Sequence, residues 1–575
     1  MAIDFSSSTE LRIELLQYFQ HNELAEEDLL SECIKLCQNF HITPENVYYK
    51  WEALNFNTGR SVNLFTMDSV NQIKAAIQQD LAKEQAKKAR AQLSGRMTRG
   101  RAPVLGLPGR MGTPVKRSTV GGAQSSGAGA SVAGPSKVKF VGPSSDPAAV
   151  KKRAYRYMYE KISERSEVLD DRIDDFAELI RTYYSISEFG DPGSSTDEET
   201  TIVGRIVPDA ESLSTKLNDA SVVLETSKML GSGARVPLRF DPSLKITASP
   251  SGGELAGIGL FPGAIVAMRG RNGGGGYFLV TEILNLPPLR TRPVDEASET
   301  SGGDDPGSVF IACGPYTPDT DLGYKPWTDL LKKIKAKKPD VLILLGPFIS
   351  TDHPYIRQGL ASSPPAELFR DTFLAPLAEF LASAPGSAVV LVPSVKDIIS
   401  DHAVFPQAEL PASLMSDPRI HLAPNPARFS LNGITFGAST VDVLFHLRKE
   451  EYFKRSLTPV DQPQDAMSSL CRHVLQQHSF YPIFPAPHEL AHDVNLDVSH
   501  SAGLALDAEC AEAAAPDVLI LPSRLKHFSK VVEDTVAINP TFLTKGIYAE
   551  MRLPARRTAG LKDEILKRNV MKLEE

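Results

Sequence analysis

Four short runs of continuous apolar residues limit the folds that the second half of this chain can adopt. Each run is rich in β-branched side chains, and the four cover residues 308–312, 341–345, 388–392 and 517–521. Strands of this kind are usually buried on both faces, with packed layers on either side. Intervening segments such as 327–338 have apolar residues at helical spacing. Residues 301–575 are therefore predicted to form an α/β domain.

The rest of the 575-residue chain divides by composition, and its length exceeds what one hydrophobic core can organise. Residues 1–95 carry apolar side chains at helical spacing, which predicts an N-terminal all-α helical domain. Residues 96–147 are rich in Gly, Ser, Ala and Pro, which is typical of a disordered linker. Residues 148–195 are predicted to be a helical segment that leads into the core. Residues 196–300 contain short β-like runs separated by Gly and Pro, which indicates a small β-barrel.

Charge is unevenly distributed along the chain. The net charge is -8, yet the segment 83–117 contains ten Lys or Arg residues and one acidic residue, Glu84. Such a segment can bind nucleic acid, act as a nuclear import signal or keep a linker solvated, and the sequence favours an import signal or a plain linker over specific nucleic-acid binding. Thr113 lies in the proline-directed kinase pattern Thr-Pro-Val-Lys and is a candidate phosphorylation site. Phosphate would add about -1.5 to -2 of charge there.

Cysteine usage and hydropathy predict an intracellular, soluble chain. The five cysteines are scattered and form no Cys-x-x-Cys pair, which favours reduced thiols over a disulfide framework or a zinc knuckle. No apolar run approaches the roughly 18–20 residues that a membrane span needs, and the N-terminus lacks a secretory signal pattern. No membrane partner is therefore expected.

The residues that follow the apolar runs carry a resemblance to a known family. The segments GPY at 314–316, GPF at 346–348, PSVKD at 393–397, LNGITFGAST at 431–440 and VLILPSRL at 518–525 occur in this order. This order resembles the calcineurin-like metallophosphoesterase domain in the form found in B subunits of eukaryotic replicative DNA polymerases. The segments KLNDASVVLE, LFPG, LLGPF, SFYP, NP and TKG resemble the B subunits of DNA polymerase alpha–primase more closely than their delta or epsilon counterparts. The likeness covers about residues 150–575.

The resemblance implies a fold and a set of partners. The barrel would be an OB-fold, lying against an inactive phosphoesterase-like domain. Together they would bind the zinc-bearing C-terminal domain of the DNA polymerase alpha catalytic subunit, and through it the primase subunits. The N-terminal helical domain would dock other replisome proteins. The resemblance further implies a nuclear protein that contacts DNA indirectly and supports the initiation of DNA replication.

The chemistry of the strand ends can be judged from the residues themselves. A two-metal phosphoesterase needs oxygen and nitrogen ligands on two cations about 3.5–4 Å apart. Active members of the resembled superfamily place Asp-x-His, Gly-Asp, Gly-Asn-His and Gly-His-x-His after successive strands. This chain has other residues there, and most of them cannot ligate a metal: Gly314, Pro315, Tyr316, Gly346, Pro347, Pro393, Ser394, Pro522 and Ser523. The sequence therefore predicts a non-enzyme with no catalytic residue, no metal ligand and no cofactor.

Several ionisable residues near these positions could be proposed as a rearranged metal site: Asp319, Asp321, Asp352, His353, Asp397, His500 and His527. We predict instead that they are helix caps, loop charges or satisfied polar groups, because a metal site requires a defined ligand geometry. Asp442 is predicted to be an acid at a helix N-terminus, and His446 a packed or capping residue. Two alternatives stay open: an active metal-dependent phosphodiesterase or nuclease, and a B subunit of another replicative polymerase.

Overall fold

The computed structural model describes most of the chain, in two compact units that cover Met1–Ser126 and Gly127–Glu575. The described residues are 8–19, 27–40, 42–58, 67, 69–70, 73–74, 138–209, 216–290, 307–415, 417–457, 465–506, 514–554 and 571–572. The basic segment 83–117 and Thr113 lie outside these ranges, so the predictions made for them stay predictions. Within the described ranges, no helix has the length and apolar character needed to cross a membrane.

The first unit is helical where it is described. Its helices are α1 (Ser8–Tyr18), α2 (Glu27–Phe40) and α3 (Pro44–Thr58). The helix-spaced residues Leu11, Leu15 and Phe19 are buried together, and Phe19 packs edge-on against Tyr48 at 5.3 Å. Burial raises the pKa of the Cys33 thiol on α2 to about 12, which fits an apolar packing role for this cysteine.

The second unit contains a closed five-stranded barrel preceded by two helices. The helices are α4 (Pro147–Arg153) and α5 (Ile162–Tyr184). The barrel order is β2-β3-β4-β7-β6, and the elements of this region are β2 (Thr196–Pro208), β3 (Val222–Glu225), α6 (Lys228–Gly231), β4 (Arg235–Thr247), β5 (Gly257–Leu260), β6 (Ile265–Asn272) and β7 (Phe278–Leu284). Helix α5 packs its buried residues Ile173, Phe176 and Ile180 against the barrel.

Strand β4 is the part of the barrel that sequence reasoning missed. Its buried residues alternate, as in Val236 and Leu238, but Pro237 and Pro242 lie inside the strand. Proline usually argues against a strand because it cannot donate a ladder hydrogen bond. Here the register between β4 and β7 shifts between Phe240 and Lys245, so Pro242 falls in the irregular stretch.

Two mixed six-stranded sheets form the rest of the unit. Sheet one has the order β11-β10-β9-β8-β18-β19, and sheet two has the order β1-β12-β13-β15-β17-β16. Their strands are β1 (Phe140–Val141), β8 (Gly307–Cys313), β9 (Val341–Leu345), β10 (Ala388–Val392), β11 (Ile420–Leu422), β12 (Ala427–Leu431), β13 (Ile434–Ala438), β15 (Val518–Ile520), β16 (Phe528–Val532), β17 (Thr535–Asn539), β18 (Ile547–Leu553) and β19 (Met571–Lys572). A further strand, β14 (Tyr452–Arg455), pairs antiparallel with β5.

Helices cover the outer faces of the sheets. They are α7 (Lys325–Lys337), α8 (Pro354–Arg357), α9 (Pro365–Leu368), α10 (Ala375–Ser383), α11 (Val443–Glu450), α12 (Ala466–Gln476) and α13 (Ala491–Val494), with a π-helical turn at Phe369–Leu374 and 3-10 turns at Ala412–Leu414, His488–Leu490, Val498–Leu504 and Leu543–Lys545. Alternate residues of β9 face the two sides: Val341 and Ile343 lie in the core between the sheets, whereas Leu342 and Leu344 pack against the helices. Burial of this strand on both faces, which the apolar run predicts, is therefore confirmed.

One expectation needs correction. The predicted linker 96–147 is too long, because β1 within it pairs with β12 and Val138 is buried. Val138 and Phe140 alternate with lysines along the chain, and contacts with distant residues order them: the ring of Phe140 stacks on His421 at 4.0 Å. The structure also shows how the four apolar runs are divided, which the sequence analysis did not address. Strands β8, β9 and β10 belong to sheet one, whereas β15 pairs with β13 and β17 of sheet two.

The barrel is joined to the two-sheet domain by shared packing. Barrel residues such as Ile206 and Met268 belong to one buried cluster with Leu470 and Phe480. The side chain of Gln477 bonds both backbone groups of Ile265 on β6, accepting from the N–H at 3.0 Å and donating to the C=O at 2.9 Å. A buried amide with both ends satisfied specifies one orientation, so barrel and sheets form a single platform.

Shortening a core side chain of β9 tests the two-faced burial. Leu344→Ala removes a fully buried side chain, and we expect the free energy of unfolding to fall by about 2–5 kcal/mol. The matched control is Leu360→Ala, because Leu360 is 60% exposed; its effect should stay within about 0.5 kcal/mol. Urea unfolding followed by circular dichroism measures both variants. Equal effects would contradict the burial of β9.

Candidate functional site

The ends of the strands predicted to have lost metal ligands meet at one edge of the two sheets. In sheet one, the N–H of Gly314 donates to Leu345 at 2.9 Å, and the N–H of Gly346 donates to Val392 at 2.8 Å. Thr440, which follows β13 of sheet two, donates through its hydroxyl to the carbonyl of Pro393 at 3.1 Å. The edge is therefore continuous across both sheets, as the carboxyl ends of parallel strands require.

Backbone and aromatic side chains fill the edge around the first two positions. A methyl group built on Gly314 would overlap the carbonyl of Pro347, and one on Gly346 would overlap the carboxylate of Asp397. Tyr316 is fully buried, and its hydroxyl donates to the carbonyl of Leu345 at 3.0 Å. Its ring stacks on Phe348, with centroids 5.5 Å apart. The space beside these strand ends is thus occupied by packed side chains.

The two later positions are also buried and bonded within the protein. Pro393 and Ser394 follow β10, and the N–H of Ser394 donates to the carboxylate of Asp397 at 2.8 Å. Pro522 and Ser523 follow β15, and the N–H of Ser523 donates to the side-chain oxygen of Asn539 at 2.8 Å. These bonds hold the chain after each strand in a fixed turn.

Asp397 is the carboxylate that lies deepest in this edge. It is 4% exposed, and one of its oxygens accepts the N–H groups of Phe348 and Ile349, while the other accepts that of Ser394. Burial raises the pKa of Asp397 to about 7, although the three N–H bonds act in the opposite direction by stabilising the charged form. Both oxygens are therefore committed to the backbone, as predicted for a satisfied polar group.

The other ionisable residues after β8 and β9 also have structural roles. His353 is buried at the start of α8, where Nδ1 accepts from the N–H of Tyr355 at 3.2 Å. The other ring nitrogen lies 2.9 Å from the carbonyl of Pro318. Asp352 is exposed and pairs with Lys396 at 2.6 Å. Asp319 and Asp321 are exposed loop residues. The expectation of caps and loop charges is confirmed for these residues.

Asp442 and His446 lie on the sheet-two side of the edge. Asp442 is the N-cap of α11, accepting from the N–H of Phe445 at 3.1 Å, and it also accepts from the backbone N–H of Arg524 at 2.9 Å. His446 is fully buried, its Nδ1 is 2.9 Å from the hydroxyl of Tyr481, and burial lowers its pKa to about 4. The predictions of a helix N-terminal acid and a packed histidine are confirmed.

The last two candidate ionisable residues, His500 and His527, lie on later segments of the chain. His527 is half-buried on the segment before β16. His500 lies on the 3-10 turn Val498–Leu504, next to Asp497 and Glu160. The sequence analysis did not identify Asp497 or Glu160 as neighbours of His500. Burial is the main cause that raises the pKa of Asp497, and the nearby charge of Glu160 acts in the same direction. Because Glu160 lies far away along the chain, only the fold could bring it to His500.

The raised pKa of Asp397 predicts a pH dependence of stability. In the folded state the carboxyl group of Asp397 keeps its proton up to a pH of about 7, whereas in the unfolded chain an aspartate loses its proton near pH ~3.9. The protonated carboxyl group therefore contributes fully to the free energy of unfolding at low pH, and this contribution is lost as the pH rises toward 7. In Asp397→Asn this titration is absent. We expect the free energy of unfolding of the wild type minus that of the variant to fall by up to about 4 kcal/mol between pH 4 and pH 7.

Urea unfolding at several pH values measures this difference. Asp352→Asn is the control for removing a carboxylate from the same region, since Asp352 is exposed. A wild-type minus variant difference that does not change with pH would contradict the raised pKa.

Comparison with known proteins assigns both regions of the second unit. The family model for the B subunit of DNA polymerases alpha and epsilon matches residues 309–530, and the model for the OB domain of the DNA polymerase alpha B subunit matches residues 166–286. The five-stranded barrel is thus an OB domain, and the two-sheet domain is the phosphoesterase-like domain of such subunits.

Curated relatives extend the likeness to nearly the whole chain. The DNA polymerase alpha B subunit of Schizosaccharomyces pombe is 31% identical over 567 residues, which cover 91% of this chain and 92% of the relative. The counterpart from Saccharomyces cerevisiae is 34% identical over 68% of this chain and 58% of the relative. The counterpart from Rattus norvegicus is 32% identical over 68% of this chain and 60% of the relative. The match thus spans less than two thirds of the last two relatives. On these grounds, the chain belongs to the family of B subunits of DNA polymerase alpha.

Proposed function

We propose that this chain is the non-catalytic scaffold subunit of a DNA polymerase alpha–primase complex. It binds the C-terminal domain of the polymerase catalytic subunit, reaches the primase subunits through the complex, and supports primer synthesis at the initiation of DNA replication in the nucleus. The observation that carries the proposal is the sheet edge, where glycine, proline and buried aromatic residues occupy the positions that a hydrolytic relative would use for metal ligands.

The intact core supports a role that depends on shape. Trp327 and Phe373 stack at 4.4 Å beneath the edge, and Tyr316 and Phe348 close the same cluster. Large aromatic side chains of this kind contribute much of the packing energy of a core. The edge is therefore filled by packed side chains, which supports a stable surface for partners.

The joint between barrel and sheets supports a platform made of both domains. Arg205 on β2 forms a buried ion pair with Glu225 on β3, and its guanidinium lies 5.4 Å from the ring centre of Phe484 in the two-sheet domain. Glu225 is held on its other side by Arg235 at 2.9 Å. Since these contacts are made within the chain, a partner that touches both domains would meet a surface that is already ordered.

The proposal also assigns a role to the N-terminal helices. Their packed core around Trp51 makes them a separate unit, and we assign to this unit the docking of other replisome proteins. The basic segment 83–117 would act in nuclear import or as a solvated connector, with Thr113 as a site of phosphorylation. Contact with DNA would be indirect, through the polymerase.

Binding to isolated catalytic-subunit domains tests the proposal directly. The full chain, immobilised through an affinity tag, is expected to retain the C-terminal domain of the DNA polymerase alpha catalytic subunit. The corresponding domains of the delta and epsilon catalytic subunits are the controls and should be retained at least tenfold less, because a specific interface needs matched shape and charge. Equal or stronger retention of the delta or epsilon domain would support a B subunit of another polymerase.

The alternative function is that of a metal-dependent phosphodiesterase or nuclease. It has to be considered because two carboxylates, Asp397 and Asp442, lie at the sheet edge. Their oxygens already accept backbone N–H groups, so we expect no manganese-dependent hydrolysis of bis-p-nitrophenyl phosphate above a protein-free control. Robust turnover that is lost in Asp397→Ala or His353→Ala would overturn the proposal of a non-catalytic subunit.

A further inference from the structure

Three side chains with metal-binding chemistry meet between the segment before α5 and the start of a 3-10 turn. Glu160 lies just before α5, and Asp497 and His500 lie at the start of the 3-10 turn Val498–Leu504. One ligand atom from each of them lies within 4.8 Å of the other two. Nδ1 of His500 is 3.3 Å from a carboxylate oxygen of Asp497 and 3.6 Å from Oε1 of Glu160.

The carboxylate of Glu160 lacks a complete set of partners. Its side chain is 8% exposed, and Oε1 is buried without a hydrogen-bond partner. The side chain of Asp497 is 5% exposed and lies beside it. A buried carboxylate oxygen without a partner is destabilising, and two adjacent carboxylates repel each other. A bound cation would satisfy Oε1 and would balance the charge of both groups.

The distances fit a small tetrahedral ion. Zinc binds imidazole nitrogen and carboxylate oxygen at about 2.0–2.2 Å, so neighbouring ligand atoms of a tetrahedral site lie about 3.3–3.6 Å apart. The separations from His500 to Asp497 and Glu160 match this spacing. Three protein ligands leave a fourth position for water.

The surroundings orient these ligands. The ring of Tyr155 stacks on the imidazole of His500 at 3.5 Å, and its hydroxyl donates to the carbonyl of Pro406 at 2.6 Å. The second carboxylate oxygen of Asp497 accepts from the N–H of Ser499 at 3.0 Å. The other oxygen of Glu160 accepts from the N–H of Tyr159 at 3.2 Å. Outer contacts of this kind hold metal ligands in position.

We propose that Glu160, Asp497 and His500 bind one divalent transition-metal ion, with Zn²⁺ as the preferred ion. An imidazole nitrogen selects Zn²⁺ over Mg²⁺ and Ca²⁺, which prefer oxygen ligands alone. The ion would connect the segment that leads into α5 with the phosphoesterase-like domain. Since α5 also packs on the OB domain, the site would stabilise the joint between the two domains.

Zinc binding by the full-length chain tests this site. Protein freed of metal with a chelator is titrated with ZnCl₂ by calorimetry, and its Tm is measured with and without Zn²⁺. We expect Glu160→Gln and His500→Gln each to bind one equivalent of zinc fewer than the wild type, or to bind that equivalent at least tenfold more weakly. Both variants should also lose the zinc-dependent rise in Tm. Comparison with the wild type cancels any zinc held elsewhere, for example by Cys33 and Cys37.

His492→Gln is the matched control, because the side chain of His492 is 69% exposed and pairs with a single carboxylate, Asp493, at 3.2 Å. It should bind zinc as the wild type does. If His500→Gln does not fold, Glu160→Gln decides, since the glutamine can still accept the N–H of Tyr159. Equal stoichiometry, affinity and Tm shift in the wild type and Glu160→Gln would overturn the proposal, and so would a wild type without zinc binding.

Discussion

The buried carboxylate of Asp397 organises the sheet edge on which the rest of the domain depends. The turns after β9 and β10 leave N–H groups of Phe348, Ile349 and Ser394 pointing inward, at a depth that bulk solvent does not reach. One carboxylate accepts all three, and an unsatisfied buried donor would cost about 1–3 kcal/mol each. The carboxylate of Asp397 thus serves the backbone of the two turns. The edge is consequently closed by packing, with Tyr316 and Phe348 stacked beside it.

The packed sheet edge and the joint between the OB domain and the phosphoesterase-like domain both favour a preformed surface. The phosphoesterase-like domain keeps its two sheets, and the OB domain is attached to it through a common core and the paired amide of Gln477. Helix α5 adds a third element to this joint, and the proposed site of Glu160, Asp497 and His500 lies where the chain enters that helix. A protein with this architecture offers partners a preformed surface, which reduces the entropy lost on binding.

Much of this architecture can be read from local patterns. The apolar run at Val341–Leu345 predicts a strand buried on both faces, and the structure has that burial. Strand β4 was missed because Pro237 and Pro242 interrupt a pattern that is otherwise alternating. Strand β1 was missed because it is short and follows a segment of low-complexity composition. In both cases pairing with a neighbouring strand supplies the stability that local propensity does not.

The sequence by itself determined which side chains stand at the strand ends, and hence that Gly314, Pro315, Gly346 and Pro347 offer no side-chain metal ligand, because such ligation depends on the atoms a side chain carries. It also determined that the strands at the four apolar runs are buried, because continuous apolar runs must leave water. Only the tertiary structure decided that the four runs divide between two sheets, that Asp397 is satisfied by backbone donors, and that Glu160 meets His500. These are contacts between segments far apart along the chain, and local sequence patterns carry no record of which distant segment will supply the partner.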